Sequence, residues 1–267
     1  MNSKLSDALP RFVGVLHLPP LPGGPRPSPG LQACVKSAVE DAKALVNGGA
    51  EAAILENFGD APFTAGRVEA CTVAYMTHVA LAVRDACPTL TLGINVLRND
   101  GRSALAIASA VGASFVRVNV LVGSMVTDQG VITGDARQLL LDRQRIAPQV
   151  RIWADVLVKH AVPLGPQDLI QVAKDSLYRG GADALILTGS GTGQPIELGT
   201  LNRLRAALPK AHLVAGSGVV PDDVPQGVDS AIVGTYLHER SDISRPLCTT
   251  RVRAMREALD QAANNLS

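Results

Sequence analysis

An alternation of short apolar runs with longer amphipathic segments constrains this chain more than any other feature. Runs rich in β-branched and aliphatic residues stand at 12–17, 52–56, 90–96, 115–119, 152–158, 184–187, 212–215 and 230–233. Between them lie Ala/Leu-rich segments that predict helices at 31–47, 67–87, 103–111, 135–146, 166–179 and 198–208, with a last one near 249–263. Parallel strands need such crossover helices, and the sheet they form is buried on both faces. Eight strands alternating with such helices predict an α/β fold, a single TIM-type β/α barrel, and 267 residues is close to the usual size of one. Gly48-Gly49-Ala50, Gly112-Ala113 and Gly180-Gly181-Ala182 each stand between a helical segment and a strand, where glycine ends a helix in the left-handed conformation.

Composition removes several function classes. Lys and Arg number 25 against 24 Asp and Glu, a net charge of +1, so no long-range field recruits nucleic acid or anionic lipid. No apolar run approaches the roughly 20 residues that a spanning helix needs. Residues 1–11 read as a flexible polar terminus without a secretory apolar core or an Arg/Ser-rich transit composition, and a cytoplasmic location is expected. Cys34, Cys71, Cys87 and Cys248 lie far apart without paired zinc-ligand spacing and read as reduced thiols. The stretch 18–30, LPPLPGGPRPSPG, cannot form helix or central strand because proline fixes φ and removes donors. It is a stiff loop on the C-terminal face, either a wall or lid over the barrel mouth or a rigid connector.

Polar residues collect where the strands end, the face on which barrel enzymes keep their sites. His17 ends the first strand, Glu56 and Asn57 the second, Asn95 and Arg98 follow the third, Arg117 and Asn119 lie two apart on the fourth, and Asp155 and Lys159 share one face of the fifth. Buried unpaired, each would cost about 1–3 kcal/mol or more, so the cluster reads as a ligand-facing network or as an internal salt-bridge lattice. Asp155 is the candidate general acid/base, Glu56 a second one or a hydroxyl ligand, and Lys159 or Arg98 the oxyanion stabiliser. A Schiff-base role for Lys159 is the alternative. Asn95, Asn119 and His17 complete the catalytic set.

A second signal lies in the last three strand ends: the 188–193 stretch TGSGTG, then Gly216-Ser217-Gly218, then Gly234-Thr235. Glycine lets backbone N–H groups approach an anion, and barrels often hold phosphate in the loops after strands seven and eight. Gly191, Thr192, Gly193, Gly216, Ser217, Gly218, Gly234 and Thr235 are therefore the candidate phosphate site. Neither a Walker loop nor a dinucleotide fingerprint is present, and Ser190 lacks the nucleophile-elbow context. Glu56, Asp155 and His17 are groups that bind a divalent metal, but no spacing singles out a metal site, and no cofactor is assigned.

Several stretches together resemble the BtpA/SgcQ family across nearly the whole chain. They are the 14–18 stretch GVLHL with the Pro-rich loop after it, ENFGDAPF at 56–63, GINVLRND at 93–100, RVN at 117–119, TDQG at 127–130, ADV at 154–156, KHA at 159–161 and the 188–195 stretch. The loop reads Pro22-Gly23-Gly24-Pro25 where the family pattern places a serine after the first glycine. The resemblance implies a barrel similar to phosphate-binding barrels, a label drawn from photosystem I biogenesis, and members associated with sugar utilisation. The leading expectation is an enzyme acting by acid/base chemistry on a small phosphorylated sugar or nucleoside-like substrate, as isomerase, lyase or glycosyl-bond enzyme. A non-catalytic photosystem I assembly factor and a ligand sensor are the alternatives. The partner is a small phosphorylated ligand, and homo-oligomers are common in this fold class.

Overall fold

The computed structural model describes residues 9–156, 158, 160–189 and 197–264. In chain order the elements are β1 (Phe12–His17), α1 (Leu31–Gly48), β2 (Ala52–Glu56), α2 (Ala70–Ala86), β3 (Thr91–Asn95), α3 (Gly101–Val111), β4 (Phe115–Val118), β5 (Ser124–Thr127), β6 (Gly130–Thr133), α4 (Ala136–Ile146), β7 (Arg151–Val156), β8 (Ala161–Pro163), α5 (Leu169–Lys174), β9 (Ala184–Leu187), α6 (Leu198–Ala207), β10 (Leu213–Ala215), β11 (Ser230–Val233) and α7 (Thr249–Asn264). Eight of the strands close a parallel barrel in the order β1-β11-β10-β9-β7-β4-β3-β2.

Period-two alternation sorts each barrel strand into two apolar layers. Val13, Val15, Ile54, Phe115, Trp153, Ile186, Val214 and Ile232 pack with one another inside the barrel. Their alternate neighbours, among them Leu16, Leu55, Ile94, Val116, Leu185 and Val233, pack outward under the helices. The interior needs room for its largest side chains. Phe115 and Trp153 stack with ring centroids 4.2 Å apart, and a Cβ on the inward Gly93 would lie 2.3 Å from the Phe115 ring.

Helix ends follow the local chemistry. Gly49 and Gly112 end α1 and α3 at φ 91° and 68°, a conformation that costs other residues more. Asp100 starts α3 by accepting from the Ser103 amide at 3.0 Å, and its second oxygen accepts from Val68 N at 2.9 Å, tying the β2–α2 loop to the β3–α3 turn. The last part of the fifth helical segment widens to a π-helical turn at Asp175–Arg179.

Two features were left open by the sequence. A small antiparallel sheet, β6-β5-β8, rises from the β4 and β7 ends of the barrel, in stretches to which the residue pattern assigned no element. The Pro-rich loop does not line the mouth cavity among the described residues. Leu18 and Leu21 sink into the outer core, Leu21 N donates to Asp60 Oδ1 at 2.8 Å, and Gly59 N donates to Leu18 O at 2.9 Å. The loop is a buttress for the Phe58–Asp60 turn. Of the expected flexible terminus, Arg11 is held by bonds from its amide to Glu51 Oε2 (2.6 Å) and from its guanidinium to Leu259 O (2.9 Å). The four cysteines are free thiols.

Candidate functional site

Continuing the inward parity in steps of two toward the C-terminal end of each strand brings His17, Glu56, Asn95, Arg117, Asn119, Asp155, Gly216 and Gly234 onto the inner face. There a cavity of about 600 Å³ opens, lined among others by His17, Glu56, Arg98, Arg117, Asn119, Ser217 and Thr235. Lys159, Gly191, Thr192 and Gly193 lie outside the described residues.

The carboxylates of the cavity are held by donors from neighbouring strands. Asn95 Nδ2 donates to Glu56 Oε2 at 2.6 Å, which orients the carboxylate while Glu56 still lines the cavity. Arg117 grips Asp155 through two bonds of 3.0 Å, from Nε to Oδ2 and from an Nη to Oδ1. Asn119 Nδ2 donates to the same Oδ2 at 2.6 Å. The carboxylate of Asp155 has 0% side-chain exposure and sits behind these two residues. Because a carboxylate only accepts, this bond also fixes the Asn119 amide, and its Oδ1 is buried with no partner among the described residues.

The charges act differently on the two guanidinium groups. Burial alone would lower the Arg117 pKa, but Asp155 and Glu56 outweigh it and raise the value. For Arg98 burial prevails and lowers the value, with Asp155 working against it and Arg117 adding to it. Arg98 reaches the cavity because the β2 and β3 loops are bolted together: Leu97 N donates to Asn57 Oδ1 at 2.8 Å and Asn57 Nδ2 to Asp60 Oδ2 at 3.2 Å. Asn99 completes the clamp with paired bonds to the Val120 backbone, of 2.9 and 2.8 Å.

His17 belongs to a pair that the sequence did not disclose. His238, only 1% exposed, places Nδ1 2.6 Å from Arg245 O and Nε2 3.1 Å from His17 Nδ1. A carbonyl only accepts, so His238 carries its proton on Nδ1, and in the neutral pair its Nε2 accepts from His17 Nδ1–H. The lone pair of neutral His17 is then on Nε2, beside Gly234, where an added Cβ would lie 3.3 Å away. Position four after Gly234 was the available signal for His238, and nothing in composition marked it.

The expected phosphate turns follow the next two strands on one side of this histidine. Gly216 N–H is committed to Leu187 O at 2.7 Å, so Ser217 and Gly218, the latter at φ 70°, carry the donors of that turn. Gly234 and Thr235 line the same cavity. Asp128 and Gln129, on the β5–β6 turn, close it from above and were noticed in the sequence only as part of a family stretch. The turn-forming residues Asp128-Gln129-Gly130 were the available hairpin signal there. Phe58 and Phe63 form an aromatic side that residue-by-residue reading missed. Among the described residues no three His, Cys, Asp or Glu side chains group as a metal would require.

A closed eight-stranded parallel barrel with a polar cavity at its C-terminal strand ends is a TIM-type β/α barrel protein. Solved structures with this architecture include phosphoribosyl anthranilate isomerase from Thermus thermophilus, with a TM-score of 0.56 at 15% identity, covering 94% of this chain and 98% of that one. KGPDC from Streptococcus mutans gives 0.58 at 12% identity, covering 96% and 100%. At the sequence level the chain belongs to the BtpA family, whose profile matches residues 10–261. It is 43% identical over 250 residues to the photosystem I biogenesis protein BtpA of Synechocystis sp., covering 92% of this chain and 87% of that protein. An uncharacterized protein of Thermococcus kodakarensis is 39% identical over 249 residues, covering 92% and 94%, and an uncharacterized mitochondrial protein of Caenorhabditis elegans is 31% identical over 205, covering 74% of each.

Proposed function

We propose that this protein is an enzyme acting by proton transfer on a small phosphorylated substrate, a sugar phosphate or a nucleoside-like compound. The observation that carries the reading is the convergence on one cavity of a carboxylate, two guanidinium groups, a histidine with a directed tautomer and two glycine turns. The phosphate group is assigned to the Ser217-Gly218 and Gly234-Thr235 turns, with Gly191 to Gly193 as the third loop. Glu56 takes the general acid/base role because its carboxylate lines the cavity, whereas the Asp155 carboxylate is wholly covered by Arg117 and Asn119. Asp155 becomes a positioning residue that aims Arg117. Arg98, with Lys159 as a second cation, stabilises negative charge developing on a substrate oxygen. Asn119 Oδ1, buried and without a partner among the described residues, is matched to a ligand hydroxyl or N–H. His17 Nε2 is a second proton acceptor.

Structural neighbours named for phosphoribosyl and related chemistry support this reading at the level of fold. The relatives in archaea and a nematode weigh against a role confined to photosynthesis. The Synechocystis relative's name favours a second reading, a scaffold for photosystem I biogenesis, and one surface suits it. Val131, Val126 and Val162 face one another across β6, β5 and β8 and are 54%, 42% and 66% exposed.

Thermal unfolding with inorganic phosphate and with ribose 5-phosphate separates the two. A ligand at 100 times its Kd stabilises by about 2.7 kcal/mol, and Ser217→Asp, which puts a negative charge in the turn, is expected to remove that gain. No response to any phosphorylated compound would overturn the enzyme reading in favour of the scaffold.

A further inference from the structure

The chain has few aromatic residues, four Phe, three Tyr and one Trp. Phe12, Phe115 and Trp153 are spent in the interior at 0–1% exposure. The other two phenylalanines, Phe58 and Phe63, both line the mouth cavity, and Phe58 is 37% exposed. This exposure is held in place rather than left over. Phe58 sits between Asn57 and Gly59, in a turn bonded to Leu97, Asp60 and the Pro-rich loop. A Cβ on Gly59 would lie 2.3 Å from Pro20 N, so loop and turn are in backbone contact. An apolar surface that a fold immobilises inside a polar-rimmed cavity marks a ligand subsite.

The placement of this side relative to the glycine turns sets its meaning. In the barrel order β1 separates β2, which carries Phe58, from β11, which carries Gly234. His17, at the end of β1, touches both: its ring meets Phe58 edge-on with centroids 5.0 Å apart, and its Cε1 lies 2.9 Å from a Cβ position on Gly234. The glycine turns and the Phe58 side thus lie on either side of His17, and Tyr236, next to Thr235, adds a further aromatic ring to the lining. The cavity volume of about 600 Å³ falls in the middle of the roughly 300–1,000 Å³ that enclose drug-sized ligands, more than a bare sugar phosphate fills.

We infer that the ligand carries a planar ring in addition to its phosphate, making it a phosphomonoester of the nucleoside monophosphate type, with Phe58 and Phe63 holding the ring. This rests on the phosphate reading above and narrows it. An aromatic wall accepts any flat π-face, so ring contact supplies affinity and the polar groups supply orientation.

The test is calorimetric titration of the full chain with purine and pyrimidine nucleoside 5′-monophosphates, ribose 5-phosphate, inorganic phosphate and the matching free nucleosides. At least one nucleotide is expected to bind about tenfold or more tightly than ribose 5-phosphate, the scale of a single base–aromatic stack. Phe58→Ala and Phe63→Ala are expected to remove that advantage and to leave ribose 5-phosphate unchanged, while Phe58→Tyr retains it. Equal affinity for nucleotide and ribose 5-phosphate, or an advantage indifferent to both alanine variants, overturns the ring subsite and leaves the phosphate reading standing. Binding of free nucleosides without any phosphate dependence overturns the phosphate reading instead. Binding of none of these compounds overturns both.

Discussion

Asp155 and Arg117 show how a side chain's surroundings change its chemistry. Two guanidinium bonds and one amide bond hold the Asp155 carboxylate out of solvent, and removing its charge strands a buried cation. Asp155→Asn is expected to cost about 3 kcal/mol in urea unfolding, and the double change with Arg117→Met to recover most of it. A cost that the double variant does not reduce would show that the pair is not coupled. His238 acts on His17 in the same indirect way. In the intact protein the neutral His17 ring is expected as the Nδ1–H tautomer, read from its ¹⁵N shifts, and His238→Phe should release it to the Nε2–H form that free imidazoles favour. An Nε2–H ring in the unaltered protein would contradict the pair's geometry.

The elements that carry these residues are loops braced against one another. The Pro-rich segment was legible as stiff because proline removes donors, but its partner was not, since Gly59 and Pro20 are distant in sequence and meet by backbone approach. Gly59→Ala is expected to push this loop off the Phe58–Asp60 turn, destabilising the chain by about 1–3 kcal/mol and disturbing the cavity wall beside Phe58. Hydrogen exchange at Leu21 N, which donates to Asp60, checks the displacement. Unchanged protection there would mean that the turn adapts without moving the loop. The β5–β6 hairpin was missed for a related reason. Two four-residue strands carry little periodicity, and what stabilises them is Met125 and Ile132 packing on Val120 and Val158.

At the scale of the molecule, closure of the barrel joins the ends of the chain. β1 pairs with β11, Ser230 Oγ donates to Pro10 O at 2.6 Å, and His212 Nε2 lies 2.6 Å from the same hydroxyl. Burial holds the His212 pKa below its ordinary value, with Asp229 opposing and Arg205 and Arg151 adding to the depression. The unfolded chain therefore binds this proton more readily than the folded one. Stability is full above about pH 6.5 and is lost as pH falls toward the lowered folded value. The urea midpoint is expected to drop between pH 7.5 and 5.5, and to drop less in His212→Gln. Equal slopes in the two proteins would remove His212 from the seam. No helix among the described residues is long and apolar enough to cross a membrane.

Strand order, helix positions and the polar collection at the strand ends were legible in the sequence because they depend on periodicity and neighbour order along one chain. The pattern of 115, 117 and 119 alone puts Phe115 inside the barrel and Arg117 and Asn119 at its mouth. What lay beyond reach were contacts between residues remote in sequence: Asp155 covered rather than exposed, His238 behind His17, two phenylalanines facing the cavity. Those depend on loop conformation and on which donor reaches which acceptor first, and only the closed barrel brings the competing groups within hydrogen-bonding distance.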